Sequence, residues 1–282
     1  MAEALENKSA LQAKKLDSKK LSKLNREINN LSLQDAQLKL QLKGANDRGS
    51  VEVLRKRLKA LANPRKPSTS GLQEDQLPFY VVIDFEATCE QERDNSFPHE
   101  IIEFPALLID TRKKEIVDQF HMFCKPKLNP TLSEFCISLT GITQDVVDSA
   151  EPFSSVLAKF DEWLKSHGLV GAKRKHKFSF VTDGPWDFSK FLLGQCKLTE
   201  VPFPTYCRKY INLQRAFASH YKCRKTSLNG MLQHLALEFE GRQHCGLDDA
   251  KNISRILVVL ISEFCSLVPN ERCSADGHVH HI

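Results

Sequence analysis

Nowhere is this 282-residue chain apolar for long: its longest purely aliphatic run, Ile256–Ile261, is six residues, where a bilayer span takes about 20. The opening stretch MAEALENKSALQAKK has no apolar core and does not read as a secretory leader. The nine cysteines are scattered without one C-x-x-C pair, which suits reduced thiols in cytosol or nucleus rather than a disulfide framework. Cys207, His220 and Cys223 lack a fourth ligand at zinc spacing. No internal repeat stands out. The remainder is ordinary, 41% hydrophobic and 27% charged, enough for one sizeable core and a small appended domain.

Charge is unevenly shared. Residues 1–70 hold 16 Lys/Arg against seven Asp/Glu, whereas residues 71–282 hold 24 against 28. A basic arm on a mildly acidic body suits contact with a polyanion, and equally a solvated tail. Residues 1–21 read as a flexible basic tail. Over 22–62, Leu33, Leu38 and Leu42 are expected to form one apolar stripe and Val51, Leu54, Leu58 and Leu61 a second, around the turn GANDRG. That is a helical hairpin carrying Arg55, Lys56, Arg57 and Lys59 on its second helix. With central Gly49 and the L-x-x-R-L ending it resembles a SAP module, which implies nucleic-acid binding through those basic residues. Residues 63–77, rich in Pro, Ser and Gly, read as a linker.

The body spans 78–268, and residues 269–282 read as a loose tail. FYVVIDFEA, EIIEFPALLID and EIVDQFHMFCKP form three strands, the last two joined by the charged turn TRKKE. A helical stretch follows in which Phe153, Val156, Phe160, Trp163 and Leu164 share a face. FSFVTDG, WDFSKFLLGQC, TYCRKYINL, KTSLNGMLQHLAL and DDAKNISRILVVLISEFCSL then alternate strand, helix, strand, helix, helix. The order predicts an α/β sheet mixing antiparallel and parallel strands.

The strand FYVVIDFEA ends on two acids. Period-two geometry puts Asp84 and Glu86 on one face, roughly 7 Å apart, where two unneutralised carboxylates repel and lose hydration. A bound divalent cation reverses both costs, and hard oxygen ligands suit Mg²⁺ or Mn²⁺. The competing reading is a strand that stops at Ile83 and leaves both acids solvated. Asp187 sits at a strand-to-helix junction where it can cap the helix. His244 precedes Asp248 and Asp249 at another helix start, where one Asp can cap while the other points inward. Trp186 is either a stacking platform or, the preferred reading, a core residue. Residues 201–237 hold six Lys/Arg and no acid, interleaved with Tyr206, Tyr210, Phe217 and Tyr221, which suits single-stranded nucleic acid or a core strand with a neighbouring helix. GAKRKHK (171–177) reads as a solvated loop.

In order, D-x-E after an apolar strand, an Asp at a mid-chain helix head and H-x₄-D before a late helix resemble the DEDDh 3′–5′ exonucleases. The residues are Asp84, Glu86, Asp187, His244 and Asp249, spread over about 165 residues. IDFEATCE, HEIIEFPALLID, FCISLTGITQ, TDGPWDFSKF and HCGLDDAKNISRI narrow this to the histone-mRNA and enhanced-RNAi 3′ exoribonuclease group, some of whose members carry a SAP module. The resemblance implies a ribonuclease-H-like sheet, with three antiparallel strands first and then parallel ones under flanking helices, and a small N-terminal all-α SAP-like hairpin. It implies two Mg²⁺ ions, replaceable by Mn²⁺, held by Asp84, Glu86, Asp187 and Asp249, with His244 taking a proton from the attacking water. It also implies that Glu86, Ala87, His244, Leu139, Thr140, Gly141 and Trp186 border the terminal nucleotide. The implied substrate is RNA, a stem-loop or duplex with a 3′ overhang such as histone mRNA, small interfering RNA or ribosomal RNA ends. A stem-loop-binding protein or the ribosome is the implied partner of a monomeric, non-membrane enzyme in cytoplasm, nucleus and nucleolus. Two alternatives stay open on the residues: a DNA exonuclease of the same fold, and a catalytically silent RNA-binding scaffold.

Overall fold

The structure, a computed structural model, describes residues 19–63, 76–92, 97–274 and 278–282. The chain divides into two units, residues 1–67 with 233–237, and residues 68–232 with 238–282. The expected basic tail lies outside the described residues up to residue 18, and the expected linker does so over 64–75.

The first unit is a short helix (α1, residues 19–29), α2 (Leu33–Gln41) and α3 (Val51–Ala62). The Ser32 hydroxyl caps α2 by accepting from the Asp35 amide at 3.1 Å. The expected stripe of Leu33, Leu38 and Leu42 is not the buried face, and all three are exposed. Five residues along a helix turn the face by about 140°, so Leu33 and Leu38 diverge, and Leu42 lies past the last turn. Ala36 and Leu40, one helical repeat apart, face Leu54, Leu58 and Ile28 instead, and Leu61 is exposed. Gly49 adopts φ +124°, and a Cβ there would stand 2.8 Å from the His234 carbonyl, the group that accepts from the Ser50 amide at 2.7 Å. Only glycine allows that approach. The Arg55 guanidinium donates to the Leu31 carbonyl, Arg57 to the Arg48 carbonyl and Lys59 to Asn29. Three of the four basic candidates thus tie the hairpin together, while Lys19, Lys20, Lys23 and Arg26 are exposed on α1.

Among the described residues, the second unit is built on one sheet of nine strands. β1 (Phe79–Ile83), β3 (Ile101–Asp110) and β4 (Glu115–Lys125) pair antiparallel, and β2 (Glu86–Ala87) continues along β3. β6 (Phe178–Thr182) lies parallel to β1 and β7 (Lys209–Asn212) parallel to β6, while the two-residue β5 (Glu151–Pro152) extends the far edge. Aromatic and β-branched residues fill β1 because both faces are covered. Val81 and Ile83 join Phe104, Phe160, Phe180 and Phe188 on the side of α6 (Phe153–Ser166). Tyr80 and Val82 alternate to the other side, where the Tyr80 hydroxyl donates to the Leu267 carbonyl at 3.2 Å. The mixed sheet agrees with the reading of the sequence.

Two boundaries move. Gln76 and Leu77, expected in the linker, are fastened to the body: Gln76 Nε2 donates to the Ile261 carbonyl and the Leu77 amide to the Tyr80 hydroxyl. The expected loose tail, residues 269–282, instead contributes β8 (Glu271–Cys273) and β9 (Val279–His281) among its described residues, which extend the sheet antiparallel from β7. Glu271 and Cys273 are buried, and Glu271 is held by the Asn212 side-chain amide at 3.0 Å.

Candidate active site

β1 stops at Ile83 for a covalent reason. Carrying its register with β3 one step further sets Asp84 against Pro105, which has no N–H to give the ladder. β1 and β6 are parallel neighbours with Val82 beside Val181, so the residues leaving their carboxyl ends, Asp84 and Asp183, emerge side by side. Ligands of open α/β sheets bind at this edge.

The other groups arrive from helix starts. Asp187 opens a π-helical turn, Asp187–Leu192, continued by α7 (Leu193–Leu198); such turns recur at functional sites. Its carboxylate does not cap its own helix: Oδ1 accepts from the Phe85 amide at 3.0 Å, which locks it beside the break in β1. Asp249 lies in the first turn of α10 (Gly246–Ser262), whose N-cap is Cys245 rather than either aspartate. Asp248 Oδ2 accepts from the Arg242 amide and Asp249 Oδ2 from the His244 amide at 2.8 Å. His244 itself adopts φ +60°, a left-handed turn that this bond helps to hold.

A buried acid inside β3 sets the position of α10. Glu103 accepts from the Gly246 and Leu247 amides at 2.9 and 3.2 Å and bonds His121 Nε2 at 2.8 Å. The carboxylate thus satisfies the orphan amides of the helix start. Gly246 is required there, since a Cβ would lie 2.6 Å from the Asp84 carbonyl oxygen. Arg242 donates to the Ser138 and Leu139 carbonyls and so ties the His244 loop to the end of α4 (Glu134–Thr140).

These pieces enclose a cavity of about 440 Å³ lined by Asp84, Glu86, Ala87, Leu139, Asp183, His244 and Asp249, among others. Ligand atoms of Glu86, His244 and Asp249 come within 4.8 Å of one another. Thr140 and Gly141, expected at the nucleotide, are not in the lining: Thr140 Oγ1 is turned to the Cys136 carbonyl, and Gly141 caps α4 at φ +75°. Trp186 is 61% exposed, against its preferred reading as core, and lies outside the lining. Not foreseen are Asp183, His99, Cys89, Ser227, Asn229 and Gln243, all in the lining. Asp183 becomes readable only once β6 is set parallel to β1, where a second acid leaving the neighbouring strand must meet the first.

The site is electrostatically unfavourable without a cation. Burial, then Asp187, Glu86, Asp249 and Asp183, push Asp84 well above the usual carboxylate range. Burial, then Asp249 and Glu103, raise Glu86 to about 9. Burial lifts Asp187 and Asp249 to about 7, against the amide bonds that favour their charged forms. Asp183 rises to about 6 through burial, despite its bond to Gln214, and its Oδ1 is buried with no hydrogen-bond partner among the described residues. Oxygen ligands of this kind fit a hard divalent cation, for which all these carboxylates must ionise.

A pH dependence follows. Raised carboxylates make the folded state bind more protons than the unfolded one between pH ~4, where free carboxylates titrate, and about 9. Without metal, stability therefore falls as pH rises through that window. Thermal unfolding in EDTA should show the melting temperature dropping between pH 5 and 9, and Mg²⁺ should raise it far more at pH 8 than at pH 5. Equal Mg²⁺ shifts at both pH values would mean that the carboxylates are not the ligands.

Known proteins resemble this chain in sequence and in fold. The family model described as Exonuclease (RNase_T) matches residues 81–257. The chain is 42% identical over 261 residues to human 3′-5′ exoribonuclease 1, covering 91% of this chain and 74% of that one. A solved structure of 3′-end specific recognition of histone mRNA stem-loop by a 3′-exonuclease matches with TM-score 0.70 and 44% identity, over 73% of this chain and 91% of the other. The nuclease domain of a DEDDh family member bound to rAMP matches with TM-score 0.67 and 46% identity, over 70% and 98%.

Proposed function

The chain belongs to the exonuclease (RNase_T) family as a metal-dependent 3′–5′ exoribonuclease, and from that premise we propose that it trims stem-loop or duplex RNA through a short 3′ single-stranded tail. The product is a nucleoside 5′-monophosphate. The observation that carries this reading is the convergence of Asp84, Glu86, Asp187, Asp249 and His244 on the carboxyl end of β1.

In this reading Glu86 and Asp249 would hold one divalent ion with Asp84, and Asp84 with Asp187 would hold a second; Mg²⁺ would be the natural ion and Mn²⁺ its substitute. When bound, such ions neutralise the scissile phosphate and favour ionisation of the attacking water. His244, exposed at the rim beside Glu86 and Asp249, accepts the water's proton on a ring nitrogen. Phe85, through its amide, keeps Asp187 turned toward Asp84. Ala87 and Leu139 border the terminal nucleotide, and exposed Trp186 offers a face to a base further along the strand. The N-terminal hairpin and α1 supply a basic grip for the stem. A stem-loop-binding protein or the ribosome is the proposed partner, in cytoplasm and nucleus.

Matched RNA and DNA oligonucleotides with 3′ tails, incubated with Mg²⁺, Mn²⁺ or EDTA, test this reading when products are resolved by length. Stepwise 3′ shortening of RNA to 5′-monophosphates, absent in EDTA, is the expected result. DNA shortened as fast as RNA would overturn the assignment of substrate, and intact RNA in Mg²⁺ the assignment of activity.

A further inference from the structure

Away from the catalytic pocket, the edge of the sheet sets basic residues side by side. Lys209 on β7 pairs with Arg272 on β8, and Arg272 with His280 on β9, so the three project from one face. Arg208, immediately before β7, joins Arg272 and His280 in lining a cavity of about 370 Å³ that, among the described residues, no acidic side chain lines. Like charges directly opposite one another destabilise a sheet. The nearest acid in sequence, Glu271, alternates to the other face, where it meets Asn212, Arg215 and His281. Among the described residues, neither the Arg208 nor the Arg272 guanidinium has an acidic partner.

The aromatics of this region decide between kinds of anion. Tyr210 and Phe217 are fully buried, Tyr221 nearly so, and Tyr206 packs against the core. The interleaved aromatics of residues 201–237 are therefore core residues, and among the described residues no Phe, Tyr or Trp ring lines the cavity. Single strands are gripped by charge together with stacking platforms. Duplex RNA is held through its phosphates and shape. Lys209 begins β7, whereas the catalytic pocket opens at the opposite, carboxyl ends of β1 and β6. RNA reaching this edge is the part beyond the 3′ tail. We propose that Arg208, Arg272 and His280, flanked by Lys209, form a second RNA site that binds the phosphate backbone of the substrate's double-stranded stem. The row covers two strand spacings, roughly 10 Å, a span that suits consecutive phosphates. The assignment rests on the exoribonuclease reading for its ligand.

The full-length double variant Arg208→Gln/Arg272→Gln tests it, with binding measured in EDTA so that RNA stays intact. The probes are a hairpin with a long stem and 3′ tail, and the tail oligonucleotide alone. Removing one phosphate-bound cation flattens the slope of log affinity against log salt by about one. The expected result is a slope reduced by about two and a hairpin affinity about tenfold weaker in ~0.1 M salt, with tail binding and tail hydrolysis unchanged. Arg208→Lys/Arg272→Lys should keep the slope. An unchanged slope and affinity for the hairpin in the glutamine variant overturns the proposal, as does an equal loss on the tail alone. Failure of the exoribonuclease reading would show separately, as wild-type protein that releases no nucleotide in Mg²⁺.

Discussion

Replacing Asp84 by asparagine is expected to reduce Mg²⁺-dependent nucleotide release by at least about 10³-fold, because the divalent ions supply several kcal/mol of transition-state stabilisation. The amide keeps the shape of the side chain, so packing gives no reason for loss. Asp84 is the carboxylate whose charge is opposed from most sides: by burial first, then by Asp187, Glu86, Asp249 and Asp183. Removing that charge should leave the metal-free protein as stable as the wild type or more so, and should shrink the Mg²⁺-induced rise in melting temperature. RNA binding in EDTA should persist. Lost activity with unimpaired metal-free stability is the signature of a ligand; lost activity with a lowered melting temperature would point to a structural carboxylate. Turnover within about tenfold of wild type would remove Asp84 from the site.

How readable such a residue is depends on where its partner lies in the chain. Asp84 and Glu86 are legible because the signal is local: an apolar strand ends, and two acids follow with period two. Asp187, His244 and Asp249 are legible only as a constellation, since each on its own also reads as a cap or a surface residue. Asp183 shows what spacing alone does not carry. T-D-G looks like a turn, and its carboxylate gains meaning only once β6 is set parallel to β1. Glu103 is a similar case, an acid inside the apolar run EIIEFPALLID whose partners, the Gly246 and Leu247 amides, lie some 140 residues later.

Other elements escape a sequence reading for equally specific reasons. The tail from residue 269 forms strands of three residues, too short for a visible alternation, and the burial of Glu271 depends on Asn212. In the hairpin, counting leucines overlooks that Ala36 and Leu40 share a face while Leu33 and Leu38 do not. The small residue, not the large one, marks the close contact. Trp186 reads as core on size, yet the turn that buries Asp187 and Phe188 leaves its ring exposed.

The second large effect is expected at His244, where alanine should slow nucleotide release by about 10²–10⁴-fold, the usual contribution of a positioned general base. The backbone bears on the choice of substitution, because His244 sits at φ +60° with its amide on Asp249. Asparagine tolerates that conformation better than other side chains, so His244→Asn keeps the loop and its hold on Asp249 while removing the base. Both variants should show a wild-type Mg²⁺ shift in melting temperature, which separates loss of proton transfer from loss of metal. The imidazole is exposed at the mouth of the cavity, so the space it leaves is open to solvent. Imidazole added to the alanine variant should therefore restore part of the rate in proportion to its concentration. It should do nothing for Asp84→Asn, whose defect is charge rather than a missing base. An alanine variant with wild-type turnover would assign the proton to water or to another group in the lining, and His244 would then be only the residue that shapes the turn before Asp249.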